Sequence, residues 1–353
     1  MTTSSELKTQ AKKERLVVIC PGRGSYTKET LGYLKKSRPG VGAEYGAQLE
    51  DFVQDIDARR AARSEPTISA LDNATTFSPG IHTKGENAST LIYACSYADF
   101  HSIDLSKNEI VAVTGNSMGW YLTLAFAGAL DRAGSFEVIN TMGSMMKDKV
   151  IGGQIIFPTV DGDWKKNLEL IDIVKNTIEK AREAGGHVYP SIHLGGYAVM
   201  GGDSVGLSYM MKHLPKIENY PFQLVNHAAF HTPLLKQTSE KAFDILGSEL
   251  FSRPRLPMVD GQGKIWQPYS TDVEALYRYT LGTQVVETYD FTKAITVCLK
   301  EFAPDKLVLL GPGNSLGGSI GQILVENKWE SIANKADFSA RQKTNPYLIS
   351  MGM

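Results

Sequence analysis

Cysteine is scarce in this chain of 353 residues. Cys20, Cys95 and Cys298 lie far apart, each inside an apolar run and without metal-type spacing, which excludes a disulfide framework and reads as buried free thiols in a reducing compartment. Charge of either sign is not in excess, with 37 Lys plus Arg against 38 Asp plus Glu. That balance gives no reason to expect nucleic acid or an anionic membrane as partner. The first fifteen residues are polar and charged with no apolar core of a leader, and no later stretch offers eighteen uninterrupted apolar residues. The sequence therefore reads as soluble and cytoplasmic. Hydrophobic residues make up 42%, enough to bury a large core, and the length suits one large domain with a smaller one embedded, or two domains.

What is there is organised around strands that end in glycine-rich turns. Ile110-Val-Ala-Val-Thr-Gly-Asn-Ser-Met-Gly119 is a β-branched run entering Gly-x-Ser-x-Gly, and an Ala-rich apolar segment, Trp120 to Leu130, leaves it. Strand before and helix after is the layout of a nucleophile elbow, with Ser117 at the tip and Gly115 and Gly119 allowing strand and helix to crowd together. The Met118 amide then sits at a helix N-terminus, where it can meet a developing oxyanion. An ordinary turn fits the same five letters, so the flanking pattern carries the reading.

Leu16-Val-Val-Ile-Cys20 reads as a buried parallel strand ending in Pro21-Gly-Arg-Gly-Ser25, and Lys306-Leu-Val-Leu-Leu310 as another ending in Gly311-Pro-Gly-Asn-Ser315. Such turns cluster where an open α/β sheet binds ligands. Residues 35 to 80 read as helix fragments and loops, and a helix follows over Ala88 to Phe100. Between them, a strand at Gly153 to Phe157, a helix from Trp164 to Ala184, strands at Val188 to His193 and Tyr197 to Met200, a helix over Val205 to His213 capped by Asp203, and a strand at Phe222 to Val225 give β-α-β-β-α-β. That is the ferredoxin-like split motif. The fold expected is α/β: a hydrolase-like parallel-sheet core over residues 1–147 and 219–353, with an inserted ferredoxin-like subdomain over 148–218. A serine nucleophile needs a base. Of seven histidines, His231 in Asn226-His-Ala-Ala-Phe-His-Thr-Pro233 stands at a loop-to-helix junction, and a packed or solvated histidine is the alternative.

Four ordered segments together resemble the malonyl-CoA:acyl carrier protein transacylases and the related acyltransferase domains of fatty-acid and polyketide synthases. Pro21-Gly-Arg-Gly-Ser25 is similar to the family's Pro-Gly-Gln-Gly-Ser, and Gly115-Asn-Ser-Met-Gly119 to its Gly-His-Ser-Leu-Gly. Ala229-Phe-His231 resembles the segment around the family's base, and Gly311-Pro-Gly313 its Gly-Pro-Gly turn. The resemblance implies a ping-pong acyl transfer without a cofactor, with acyl-CoA as substrate and the phosphopantetheine arm of an acyl carrier protein as acceptor, in fatty-acid or polyketide biosynthesis. It makes Ser117 the nucleophile and His231 the base, and it forms the oxyanion hole from the amides of Arg23 and Met118. An arginine can replace the family's glutamine there because only the amide is used. Pro257-Met-Val-Asp260 resembles the stretch whose carbonyl orients the base, so Asp260 is a candidate third member, and a surface turn is the other reading.

The departures bear on the substrate. Where malonyl-transferring members carry a carboxylate-binding arginine, this chain has Met142. A buried carboxylate left without its cation costs about 3–5 kcal/mol, so the expected acyl group is short, unsubstituted and non-malonyl, such as acetyl. Met142 then lines an apolar pocket that Phe230 keeps small, while Met145 and Met146 read as packing. Asn116 and Trp120 replace the family's His and Glu and are expected at the pocket as well; Trp120 either packs or narrows the entrance. Asn87-Ala88 replaces Gln-Pro. Two alternatives follow: an acyl-thioester hydrolase on the same scaffold, and a malonyl transacylase in which the Arg23 side chain supplies the missing cation. A non-catalytic docking partner of a synthase is the reading from another class, and retention of both Ser117 and His231 speaks against it.

Overall fold

The structure is a computed structural model that describes residues 12–38 and 41–353. In chain order the strands are β1 (Glu14–Cys20), β2 (Asn108–Gly115), β3 (Gly153–Pro158), β4 (Val188–Leu194), β5 (Tyr197–Gly202), β6 (Phe222–Gln223), β7 (Met258–Val259), β8 (Ile265–Trp266), β9 (Tyr289–Asp290), β10 (Lys306–Leu309) and β11 (Leu348–Ser350). Six of them form one sheet in the order β11-β10-β1-β2-β7-β8, parallel except for the last pair. Val17 to Cys20 have no exposed surface, which is why this stretch is apolar without alternation: helices cover both faces of a parallel sheet. The three cysteines are free and buried, and burial pushes the Cys20 thiol up to about 12. No helix among the described residues is long and apolar enough to cross a membrane. The charged N-terminal stretch read against a leader lies, as far as residue 11, outside the described residues.

The second sheet has the order β6-β3-β5-β4-β9. Its first four strands pair antiparallel in the ferredoxin-like arrangement, and β9 is lent by the segment that starts the helix Phe291–Phe302. Along β3 the side chains alternate as a half-buried strand requires. Ile155 and Phe157 pack with Val174, Ile178, Leu207 and Met210 of the two helices, while Gln154 and Ile156 face a cavity on the opposite side. Asp203 caps the second helix by accepting the Gly206 amide, as its position before Ser204 predicts.

Two expectations are corrected. Residues 43–61 form one helix of 19 residues, Ala43–Ala61, rather than fragments; only Phe52, Ile56 and Arg60 of it are buried, so it carries little apolar periodicity. The helix expected from Trp164 begins instead at Leu168, after Asn167 caps it. Trp164 itself turns the chain at φ 66°.

Candidate active site

The elbow forms where β2 meets the helix Gly119–Phe126. Ser117 has φ 57°, a left-handed conformation that a non-glycine residue adopts only when its surroundings enforce it. The enforcement is steric: a Cβ on Gly119 would lie 2.5 Å from the Cys20 carbonyl oxygen, so only glycine lets the helix start against the end of β1. Tyr289 adds a hydrogen bond from its hydroxyl to the Gly115 carbonyl, 2.6 Å.

The Ser117 hydroxyl lies 2.7 Å from Nε2 of His231, a residue that is 1% exposed. Nδ1 of the same ring lies 2.5 Å from the main-chain carbonyl of Gln284. A carbonyl only accepts, so Nδ1 carries the proton and Nε2 presents its lone pair to the serine O–H. That is the tautomer a general base needs. Burial lowers the imidazole from its ordinary 6.5 to about 4, with the Gln284 bond opposing, so the ring is neutral at physiological pH. His231 is also left-handed, φ 60°, and its amide is tied to the Val285 carbonyl at 2.8 Å.

Gln284 works at both ends of the pair. Its carbonyl holds His231, and its side-chain amide donates to the Ser117 carbonyl at 3.1 Å while accepting from the Tyr121 hydroxyl at 2.9 Å. It follows a π-helical turn, Tyr279–Thr283, a geometry often found at functional sites. Gln284, Tyr121 and Tyr289 are not found by sequence reasoning. A main-chain acceptor leaves no trace in residue type, and the π turn has no local pattern that announces it.

The role considered for Asp260 is overturned. It is fully buried, yet its carboxylate accepts from the Gln262 and Lys264 amides at 2.8 and 2.9 Å and from Trp266 Nε1 at 2.8 Å. Those bonds close the turn between β7 and β8, and the carbonyl on His231 belongs to Gln284. Asp260 is not a third member of the pair; it belongs to a turn, the other reading, with its own side chain buried while Gln262 and Lys264 of that turn are exposed. Trp120 is likewise no pocket residue. It is completely buried, donates from Nε1 to Thr280 at 3.0 Å and packs edge-on against Tyr279.

A cavity of about 250 Å³ opens over Ser117. Asn116, Met118, Met142, Phe230 and Arg23 all line it, and Met145 and Met146 do not. The amides of Arg23 and Met118 donate to no acceptor among the described residues, which leaves both free at the start of their helical turns. Met142 is 3% exposed and brings no charge. The Arg23 side chain reaches into the same space: Nη2 donates to the Asn226 carbonyl, and no carboxylate lies within ion-pair distance among the described residues. Burial pulls its guanidinium down to about 10, with Glu86 opposing, so it stays charged at pH 7. Asn87 turns away, accepting from the buried Arg60 at 2.8 Å.

No family model matches the sequence, and no curated protein matches it. Solved structures do. An acyl-carrier-protein S-malonyltransferase from Burkholderia pseudomallei superposes with a TM-score of 0.71 at 18% identity, over 88% of this chain and 93% of that one. A malonyl-CoA:acyl carrier protein transacylase from Xanthomonas oryzae gives 0.70 at 18%, over 93% and 97%. A malonyl-transacylase solved in complex with its type II polyketide acyl carrier protein gives 0.68 at 19%, over 88% and 93%. Each likeness extends over most of both chains, and this protein has the fold of the malonyl-CoA:acyl carrier protein transacylases.

Proposed function

We propose that the protein is an acyltransferase that moves a short, non-malonyl acyl group between CoA and the phosphopantetheine thiol of an acyl carrier protein through an acyl-serine. The observation that carries this reading is the Ser117 hydroxyl at 2.7 Å from a buried, neutral His231 whose other nitrogen is fixed by a carbonyl. Ser117 Oγ attacks the thioester carbonyl carbon and passes its proton to His231 Nε2. The oxyanion accepts from the Arg23 and Met118 amides. Collapse breaks the carbon–sulfur bond, and the CoA thiolate leaves with the proton held by His231. The carrier thiol then repeats the sequence in reverse and restores Ser117. No step needs a cofactor beyond the acyl-CoA substrate. Met142 and the apolar walls around it support a short acyl group without a carboxylate.

A malonyl group is the second reading, favoured by one observation: the Arg23 guanidinium enters the cavity without a carboxylate partner among the described residues. Intact-protein mass spectrometry after brief exposure to acetyl-, malonyl- and longer acyl-CoA, with Ser117→Ala as control, separates the two. Acetyl-type adducts that vanish in the variant support the first. Malonyl labelling alone supports the second, and free acid released without carrier protein makes the enzyme a thioester hydrolase.

A further inference from the structure

His227 stands four residues before the base and also lines the cavity. Its Nδ1 lies 3.0 Å from Gln154 Oε1. Gln154 Nε2 donates to Ser191 Oγ at 2.7 Å, and that hydroxyl donates to the Phe230 carbonyl at 2.8 Å. The direction of this chain is forced from its far end. The carbonyl only accepts, so Ser191 gives its proton there and must receive from the Gln154 amide nitrogen. Gln154 then presents its oxygen to His227, and Nδ1 of His227 is the protonated nitrogen. Nε2 is left as a bare acceptor with no protein partner among the described residues, and it is not among the sealed polar atoms. Burial and the charge of Arg23 hold the ring well below its ordinary value, so it does not become a donor near pH 7.

Beside it, Arg23 contributes a charged donor with one carbonyl partner, that of Asn226, the residue next to His227. The cavity thus joins a lone-pair acceptor and a free donor to apolar walls that include Met142, Ile156, Leu224 and Phe230, with Ser89, Asn116 and Ser315 among its other polar residues. An unsubstituted acyl group satisfies neither. A carboxylate satisfies Arg23 but turns its own lone pairs toward that of His227. A hydroxyl donates to one and accepts from the other.

We propose that this pocket selects short acyl groups that carry a hydroxyl, with His227 as the acceptor and Arg23 as the donor that recognise it. The proposal rests on the acyl-serine reading. The test uses CoA esters that differ by one hydroxyl, glycolyl against acetyl and 3-hydroxybutyryl against butyryl, with initial rates of Ser117 acylation read by intact mass. Wild-type enzyme favours the hydroxylated member of at least one pair by about tenfold, the size of one satisfied buried hydrogen bond. In His227→Leu the preference falls to about one. In His227→Gln, which offers a carbonyl oxygen, part of it returns. Because the readout is a ratio within one protein, a partly unfolded variant does not distort it. Equal rates for both members in wild type, or an unchanged ratio in His227→Leu, overturn the proposal. Ser117 that forms no adduct with any CoA ester, while a fluorophosphonate labels it, overturns the acyl-CoA reading itself and this one with it.

Discussion

The depressed imidazole of His231 has a consequence that two independent assays can read. With its value lowered from 6.5 to about 4, the ring is roughly 97% neutral at pH 5.5, where an ordinary histidine would be about nine-tenths protonated. The rate of Ser117 acylation, followed by rapid-quench mass spectrometry on enzyme saturated with acyl-CoA, is therefore flat from pH 8 to pH 5.5 and falls only as pH approaches 4. His227 is held low as well, so it introduces no earlier limb. Stability carries the complementary sign. Between pH 6.5 and 4 the unfolded chain takes up a proton at this position that the folded chain refuses. The contribution is complete above 6.5 and is lost as pH falls toward 4, by about 3 kcal/mol. His227, also lowered by burial, adds in the same direction, so denaturant midpoints are compared with those of His231→Gln to isolate the His231 share. A tenfold loss of acylation already at pH 5.5 in protein that is still folded, or a pH slope of stability identical in His231→Gln, refutes the reasoning. Either result means that water reaches the ring and that Ser117 and His231 are not enclosed as described.

Three further outcomes follow from the same geometry. Gly119→Ala, which in an open helix would stabilise by up to about 1 kcal/mol, destabilises here by about 2–3 kcal/mol because its Cβ meets the Cys20 carbonyl; chemical denaturation decides the sign. His231→Ala lowers acylation roughly a thousandfold, whereas Gln284→Ala, which keeps the carbonyl on His231 and loses the side-chain bonds to the Ser117 carbonyl and the Tyr121 hydroxyl, lowers it by less than about tenfold. Equal losses in single-turnover rate would mean that the glutamine side chain, not its main chain, sustains the base. Asp260→Asn costs about 2 kcal/mol of stability by disturbing three donors, and its folded fraction acylates at close to the wild-type rate; a collapse of that rate would return Asp260 to the reaction.

What could be read from the sequence was what residue type alone enforces. The β-branched run that stops at Gly115 and the two glycines around Ser117 dictate a crowded strand-to-helix turn, because no other residue fits against the end of β1. The ferredoxin-like order was equally legible, since β3 and β5 alternate between a helix-covered face and a cavity-facing one. Ala43–Ala61 was not, because a helix with three buried residues has almost no apolar stripe. Asp260 was misjudged for a different reason. The resemblance of Pro257-Met-Val-Asp260 to a base-orienting stretch drew it toward the pair, but its carboxylate is already saturated by a turn of its own, bonds that residue type does not announce.

For the proposed acyl transfer, the reacting groups and the choice of acyl group were legible to different degrees for a physical reason. Attack and proton transfer require a hydroxyl and an imidazole in contact, and few residue types can supply them, so Ser117 and His231 stand out. Selection in the proposed reaction would depend on the walls around the acyl chain, and those come from separate stretches: Arg23 from the first glycine turn, Met142 from the helix Arg132–Ser144, Gln154 and Ile156 from β3, and Leu224, His227 and Phe230 from the loop before His231. The expectation of a small apolar pocket followed from Met142 and Phe230, with the Arg23 side chain as a second, cation-bearing reading. What it left out is a histidine whose free lone pair is fixed by a relay through Gln154 and Ser191. A hydroxyl preference that disappears in His227→Leu would therefore place the determinant of the acyl group at the side chain that Gln154 of β3 orients, rather than at Met142.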